Sequence, residues 1–172
     1  MKVFLAGVGN IFQSDDAFGV EVARRLMADP LPAGVRADDF GIRSLHLAYE
    51  LLDGGYDLTI LIDAMARGNA PGTVYLIEPR FDDSEAPAAA DAHSLNPDAV
   101  FATLRALGGR PGRVLLVGCE PSSTEEGMGL SPEVAAGVDE AIVLIQELLA
   151  RELAEGGIDV PGDPRPNRAT AS

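Results

Sequence analysis

The chain of 172 residues has one cysteine, few aromatic residues and about half as many basic as acidic residues. The single cysteine, Cys119, excludes an internal disulfide and a multi-cysteine zinc site, so we expect a protein of the reducing cytoplasm. No stretch approaches the roughly 20 apolar residues that a membrane-spanning helix needs. We therefore expect no membrane-spanning segment.

The charge is strongly unbalanced, with 27 acidic against 13 basic residues and a formal net charge of −14. Such a negative field repels the phosphates of nucleic acids and of anionic lipids, so both are disfavoured as partners. A metal cation or a cationic surface is favoured instead. Many proteins are acidic for solubility alone, so the charge excludes more partners than it identifies.

Two kinds of apolar pattern alternate along the chain. Near-continuous apolar runs, such as residues 2–8 and 57–64, are typical of strands buried on both faces of a parallel sheet. Between the runs, apolar residues recur every three or four positions, which predicts amphipathic helices. This alternation predicts a single α/β domain with three α/β/α layers and a doubly wound, mainly parallel sheet of about five strands. The predicted strands are residues 2–8, 35–40, 57–64, 73–77 and 113–119, and the predicted helices begin near residues 15, 45, 97 and 132.

The domain is predicted to span residues 1–155. Residues 156–172 are rich in proline and glycine, and we predict that this tail is disordered. Residues 79–92 contain many Asp, Ala and Pro residues without periodicity, which indicates a long surface loop of the kind that often carries function.

The stretch GVGNIFQSDD, residues 7–16, has the beginning of a dinucleotide-binding motif. The full motif needs a third glycine three residues after the second, and Phe12 stands at that position. Asp15 and Asp16 would also repel a phosphate at the start of the following helix. A nucleotide-binding α/β domain is therefore only an alternative. Ser14 or Asp15 is predicted to cap the helix, and capping could account for one of the two carboxylates but not for both.

Three potential metal ligands are expected near the carboxyl ends of the strands. Asp16 follows the first strand, and Asp63 ends an apolar run, where a carboxylate is costly unless it is exposed, capped or bound. His93 lies in the long loop. Two oxygens and one imidazole would leave positions open on a divalent metal, as in a catalytic or exchangeable site. Simpler interpretations are a loop cap for Asp63 and a solvated side chain for His93, whereas His46 is predicted to be structural or exposed.

These motifs together resemble the [NiFe]-hydrogenase maturation endopeptidases. The resemblance rests on GVGNxxxxDDxxGV near the amino terminus, the Asp-x-Gly of residues 39–41, the aspartate that ends residues 57–64, the PGT that follows, and the lone histidine before residue 97. It covers residues 2–153. The resemblance implies a peptidase that removes a short carboxy-terminal extension from the hydrogenase large-subunit precursor after nickel has been inserted. The nickel would be carried by the cysteines of the substrate, so the resting enzyme need not hold a metal.

The resemblance also implies roles for four residues. The metal contacts fall on Asp16, Asp63 and His93, which would also take part in catalysis, and Asp39 is a candidate for orienting water or substrate. The metal could polarise the scissile carbonyl or acidify a bound water, or the carboxylates could transfer protons, and the sequence leaves these roles open.

Three positions depart from the family pattern. Phe40 replaces a glycine, Arg43 brings a positive charge near the predicted cleft, and Ser14 stands where many members have glycine. These departures concern substrate recognition and remove no predicted ligand. Arg43 could contact the substrate's tail or pair with an acidic neighbour.

Other classes of protein remain as alternatives. A serine protease is disfavoured because no Gly-x-Ser-x-Gly motif is present, and Cys119 is far in sequence from His93, so we expect a core thiol. A non-enzymatic nickel chaperone could use the same three ligands. Whether the protein is the endopeptidase or the chaperone, we expect a monomer whose partner is the hydrogenase large-subunit precursor.

Overall fold

The structure is a computed structural model that describes residues 1–79 and 97–156. Most of the predicted loop, His93 and the predicted tail after residue 156 lie outside the described residues. None of the helices in the described part of the chain is long and apolar enough to cross a bilayer.

Five strands form the middle layer of the described part of the chain. They are β1 (Val3–Val8), β2 (Val35–Gly41), β3 (Leu58–Ala64), β4 (Val74–Ile77) and β5 (Arg113–Cys119). Their order in the sheet is β2-β1-β3-β5-β4. Neighbouring strands are parallel except for the edge strand β4, which runs antiparallel to β5. The predicted mainly parallel sheet of about five strands is confirmed.

Two helices cover each face of the sheet. The four α-helices of the described residues are α1 (Phe18–Ala28), α2 (Ser44–Gly54), α3 (Pro97–Ala106) and α4 (Pro132–Glu155). Helices α1 and α4 pack on one face with Val3 and Leu5 of β1, whereas α2 and α3 pack on the other face with Phe4 and Ala6. Because successive residues of a strand point to opposite faces, this central strand has apolar residues on both faces, as predicted for a strand buried between two helical layers.

The direction of winding reverses between β1 and β3. After β1 the chain passes through α1 on one face of the sheet to reach β2. It then returns through α2 on the other face to β3, which lies on the opposite side of β1. In doubly wound sheets, ligands bind beyond the carboxyl ends of the strands at such a point of reversal. Asp16 follows β1, and Asp63 is the penultimate residue of β3. Both predicted ligands therefore lie at this crevice.

The first helix begins differently from the prediction. A one-turn 3₁₀ helix, Ser14–Ala17, precedes α1, and no side chain caps the amino terminus of either element. The predicted capping by Ser14 or Asp15 is therefore wrong. Ser14 instead has φ of 51°, in the left-handed region that favours glycine, and its hydroxyl donates to the Glu125 carbonyl oxygen at 2.9 Å.

Glycines allow α1 to approach the sheet without intervening side chains. A Cβ on Gly19 would lie 2.0 Å from the carbonyl oxygen of Ile62 and 2.4 Å from that of Val8, so the helix packs directly on the backbones of β3 and β1. A Cβ on Gly9, where φ is 140°, would lie 1.9 Å from the carbonyl oxygen of Asp16. The two glycines together bring the turn that carries Asp16 against the end of β1.

We expect Gly19→Ala to destabilise the protein by about 3 kcal/mol, because the added methyl overlaps two backbone carbonyls. Helix propensity alone would give the opposite sign, since alanine is favoured over glycine within a helix by about 1 kcal/mol. The matched control is Gly55→Ala, where φ is 59° and nothing lies within 4 Å of the added Cβ. That control should lose only about 1 kcal/mol from its left-handed conformation. Urea unfolding measures both, and equal losses would contradict the steric argument.

Candidate active site

Asp16 lies in the 3₁₀ turn between β1 and α1 and is half-buried. Its Oδ2 accepts a hydrogen bond from the backbone N–H of Asn10 at 2.8 Å. Burial raises the pKa of the Asp16 carboxyl, and the bond from Asn10 only partly offsets this effect. The carboxylate therefore already accepts the hydrogen bond of a backbone N–H that a bound phosphate would need. This argues against the nucleotide-binding alternative.

Asp63 is the penultimate residue of β3 and lies opposite Gly118 of β5. Burial and, second, the charge of Asp16 raise the pKa of Asp63 well above its usual range, against a smaller effect of the Ala64 N–H. The fold has thus brought the two predicted carboxylates close enough to interact. Neither carboxylate has an arginine or lysine partner among the described residues.

The predicted metal ligands Asp16 and Asp63 carry oxygens of the kind that divalent cations bind. Two half-buried carboxylates without a positive partner repel each other, and a divalent cation between them would remove that repulsion. Within residues 1–79 and 97–156, no group of three His, Cys, Asp or Glu side chains could hold a metal. The described residues therefore supply two of the three predicted ligands, and the position of His93 stays a prediction.

Asp39 lies near the end of β2, which β1 separates from the strand that carries Asp63. Its Oδ2 accepts from Nε of Arg24 at 2.9 Å, and its Oδ1 accepts from the N–H of Gly41 at 2.9 Å. Both carboxylate oxygens are thus already hydrogen-bonded. The predicted role of Asp39 in orienting water or substrate stays a prediction.

A cleft opens between the carboxyl ends of β1 and β2, with a volume of about 320 Å³. We call it the β1–β2 cleft. Asn10, whose N–H binds Asp16, forms part of its wall, so the cleft lies next to the residue that holds Asp16. The side chains most relevant to its chemistry are Ile11, Phe12, Arg24, Asp39, Phe40 and Arg43.

The residues that depart from the family pattern at β2 contact each other. The Phe40 side chain is buried and packs edge-to-face on Phe4, with 5.9 Å between ring centroids. The Arg43 guanidinium lies 5.6 Å from the Phe40 ring centroid, in a cation–π contact. Phe40 therefore belongs both to the core and to the wall of the cleft. His46 is exposed on α2, in line with its predicted surface position.

Asp15 connects the turn that carries Asp16 to a distant part of the chain. Its buried carboxylate accepts from the backbone N–H groups of Ser122, Ser123 and Ser131 at 2.8, 3.2 and 2.7 Å, and from the Ser131 hydroxyl at 2.9 Å. Burial alone would raise the pKa of Asp15, but these hydrogen bonds outweigh it and lower the pKa. This carboxylate therefore holds the segment between β5 and α4 instead of capping a helix.

Glu120 holds the loop that follows Asp63 through hydrogen bonds to its backbone. Its buried carboxylate accepts from the N–H groups of Arg67 and Gly68 at 2.8 and 3.1 Å and from the Tyr75 hydroxyl at 2.6 Å. The sequence analysis missed this residue. The signal was present, because Glu120 directly follows the apolar strand β5, as Asp63 ends an apolar run.

Cys119 is a core thiol, as predicted. Its side chain is fully buried at the end of β5. Burial, followed by the charges of Asp15 and two glutamates, raises the pKa of the Cys119 thiol to about 11. A thiol that stays protonated at neutral pH is a poor nucleophile, so the structure disfavours a cysteine protease.

We expect Asp63→Asn to raise the free energy of unfolding of the metal-free protein at neutral pH by about 1 kcal/mol. The folded-state pKa of Asp63 lies above its unfolded value, so the folded protein binds the extra proton and loses stability as the pH rises from about 4 through the raised pKa. The gain should therefore disappear near pH ~4. Urea unfolding over a range of pH measures it.

The control for this substitution is Glu147→Gln, which removes the same charge from an exposed position on α4. A gain for Asp63→Asn no larger than that of Glu147→Gln would contradict the repulsion between the two carboxylates. A gain in the free energy of unfolding of Asp63→Asn that increases as the pH falls would also contradict it.

We expect the native protein to resist iodoacetamide at neutral pH, because Cys119 is buried and protonated. Mass spectrometry should find no adduct on the native protein and one adduct per chain after denaturation. Rapid modification of the native protein, with loss of peptidase activity but without unfolding, would show that the thiol is reactive.

Comparisons with known proteins identify the family of this chain. Residues 20–148 match the family model described as hydrogenase maturation protease. The hydrogenase expression/formation protein HupD of Rhodobacter capsulatus is 36% identical over 92% of this chain and 74% of its own length. The hydrogenase 2 maturation protease of Escherichia coli (strain K12) is 33% identical over 92% of this chain and 94% of its own length.

Solved structures share the fold over most of the chain. The hydrogenase maturating endopeptidase HybD from Escherichia coli superposes with a TM-score of 0.72 at 29% identity, covering 88% of this chain and 94% of that one. The [NiFe] hydrogenase maturation protease HycI from Thermococcus kodakarensis KOD1 gives a TM-score of 0.65 at 26% identity, covering 87% and 92%. The chain therefore belongs to the hydrogenase maturation protease family, and it is a peptidase.

Proposed function

We propose that this peptidase removes the carboxy-terminal extension of a nickel-loaded hydrogenase large-subunit precursor and recognises the nickel through Asp16, Asp63 and His93. The observation that carries the proposal is the approach of Asp16 and Asp63 at the crevice of the sheet, without a cation partner among the described residues. The relatives named above support a hydrogenase precursor as the partner. We expect the enzyme to act as a monomer in the cytoplasm.

The donor set is suited to a metal that the substrate brings. Carboxylate oxygens and an imidazole nitrogen bind divalent nickel, and the softer thiolates of the precursor would complete its coordination. Two carboxylates and one histidine are too few for a closed structural site, so positions remain for the substrate. Nickel is therefore part of the substrate in this proposal, and the resting enzyme needs no metal of its own.

Asp16 and Asp63 would have different roles in the reaction. Asp16 is held by the Asn10 N–H through Oδ2, which leaves its Oδ1 without a hydrogen-bond partner among the described residues and available to the metal. Asp63, half-buried and close to Asp16, is suited to hold or transfer a proton as the peptide bond is hydrolysed. The nickel would supply Lewis-acid chemistry, by polarising the scissile carbonyl or acidifying a water.

We expect Asp16→Asn, Asp63→Asn and His93→Ala each to slow the cleavage of a nickel-loaded precursor by roughly a hundredfold. The nickel-free precursor should not be cleaved. The intact mass of the precursor, measured over time, gives the rate and identifies the released peptide. Glu147→Gln is the matched control, because it removes one exposed negative charge on α4 and should cleave at the wild-type rate.

The possible results separate the alternatives. Normal rates for all three variants would contradict the assigned ligands, whereas equal cleavage of nickel-loaded and nickel-free precursor would contradict nickel recognition but leave the peptidase. Nickel transfer to or from the precursor without any loss of mass would favour the non-enzymatic chaperone.

A further inference from the structure

Two arginines at the β1–β2 cleft are bound to the same residue. Arg24 of α1 donates from Nε to Oδ2 of Asp39 at 2.9 Å. Arg43, which directly precedes α2, donates to the backbone carbonyl oxygen of Asp39 and, from Nε, to that of Phe40 at 3.1 Å. The two guanidinium groups are thus held at the same cleft by different parts of one residue.

The cleft has more positive than negative charge. Among the described residues, Asp39 is the single carboxylate that lines it, against the two guanidinium groups of Arg24 and Arg43. Arg43 has no carboxylate partner among the described residues, because its hydrogen bonds go to backbone carbonyls. Both arginines are exposed. In a chain with a net charge of −14, this local excess of positive charge is unusual and favours an anionic ligand.

The Arg43 guanidinium is held in place and has N–H groups that could bind such a ligand. A guanidinium has five N–H groups, and within the described part of the chain the contacts to Asp39 and Phe40 use only some of them. The ring of Phe40 lies 5.6 Å from the guanidinium and restricts its movement. A restrained guanidinium loses little conformational entropy when it binds a planar carboxylate through two parallel hydrogen bonds.

The rest of the cleft wall is apolar and accessible. Phe12 and Ile42 expose 59% and 67% of their surface, and both line the cleft together with Ile11. Exposed apolar side chains beside the Arg43 guanidinium suit a peptide that carries a carboxylate next to apolar residues. Asn10 lines the same cleft and binds Asp16, so a peptide held there would lie next to a predicted nickel ligand.

We propose that the β1–β2 cleft is a subsite for a carboxylate of the substrate peptide, with Arg43 as its main ligand and Arg24 as the second. The carboxylate is either an acidic side chain near the scissile bond or the carboxyl terminus of the extension. The identity of the peptide rests on the proposed function, whereas the binding of a carboxylate peptide does not.

The test is a titration of the ¹⁵N-labelled full chain with three short peptides, followed by NMR. The first is acetyl-Leu-Glu-Leu-amide, the second is acetyl-Leu-Gln-Leu-amide, and the third is acetyl-Leu-Gln-Leu with a free carboxyl terminus. We expect saturable shifts at the backbone amides of Gly9, Gly41 and Ile42 with a carboxylate peptide, and binding about tenfold weaker for the uncharged second peptide. The stronger of the first and third peptides identifies the source of the carboxylate.

Arg43→Gln should weaken the binding of the preferred carboxylate peptide about tenfold and leave the weak binding of the uncharged peptide unchanged. Arg151→Gln, at an exposed position of α4, is the matched control and should bind as the wild type does. The spectrum of each variant shows whether it is folded. With a nickel-loaded precursor, Arg43→Gln should raise KM about tenfold and leave kcat near the wild-type value.

Three results would overturn the proposal. They are equal binding of charged and uncharged peptides to the wild type, unchanged binding by folded Arg43→Gln, and no saturable shift with any carboxylate peptide. None of these results concerns nickel or cleavage, so each would leave the proposed function intact. Conversely, cleavage that does not depend on nickel would leave the carboxylate subsite unaffected.

Discussion

The direct packing of α1 on the backbone of β1 and β3 determines the geometry of the whole site. A Cβ on Gly19 would lie 2.0 Å from the carbonyl oxygen of Ile62, so no side chain separates the helix from the strand. Asp63 is the next residue of that strand, and Asp16 lies in the turn that leads into the helix. The same packing that completes the core therefore brings the two carboxylates to one edge of the sheet, where the charge of Asp16 raises the pKa of Asp63.

Acidic residues have two distinct functions in this molecule. Asp15 and Glu120 are buried, their pKa values are lowered, and their oxygens are hydrogen-bonded to backbone amides of distant loops. Asp16 and Asp63 have raised pKa values and few partners in the described residues. The first pair fixes the loops around the crevice, and the second pair is the one that we propose for the nickel of the substrate.

The sequence predicted the fold well because its signals are local. Apolar runs and helical periodicity located the five strands to within one residue at each end. The role of Asp15 was predicted wrongly, because its partners Ser122 and Ser131 lie 107 and 116 residues away and no local pattern indicates them. The contact between Arg43 and Phe40 depends on how the end of β2 turns into α2, which a single sequence does not show.

The central claim is that the Asp16 and Asp63 carboxylates bind the nickel of the substrate. The most direct measurement is the nickel K-edge X-ray absorption spectrum of a nickel-loaded precursor, frozen with and without the enzyme before turnover. The account predicts that wild-type enzyme adds oxygen or nitrogen neighbours to the nickel and that the double variant Asp16→Asn/Asp63→Asn adds fewer. A nickel spectrum that the wild-type enzyme leaves unchanged, in a mixture that goes on to release the extension, would contradict it.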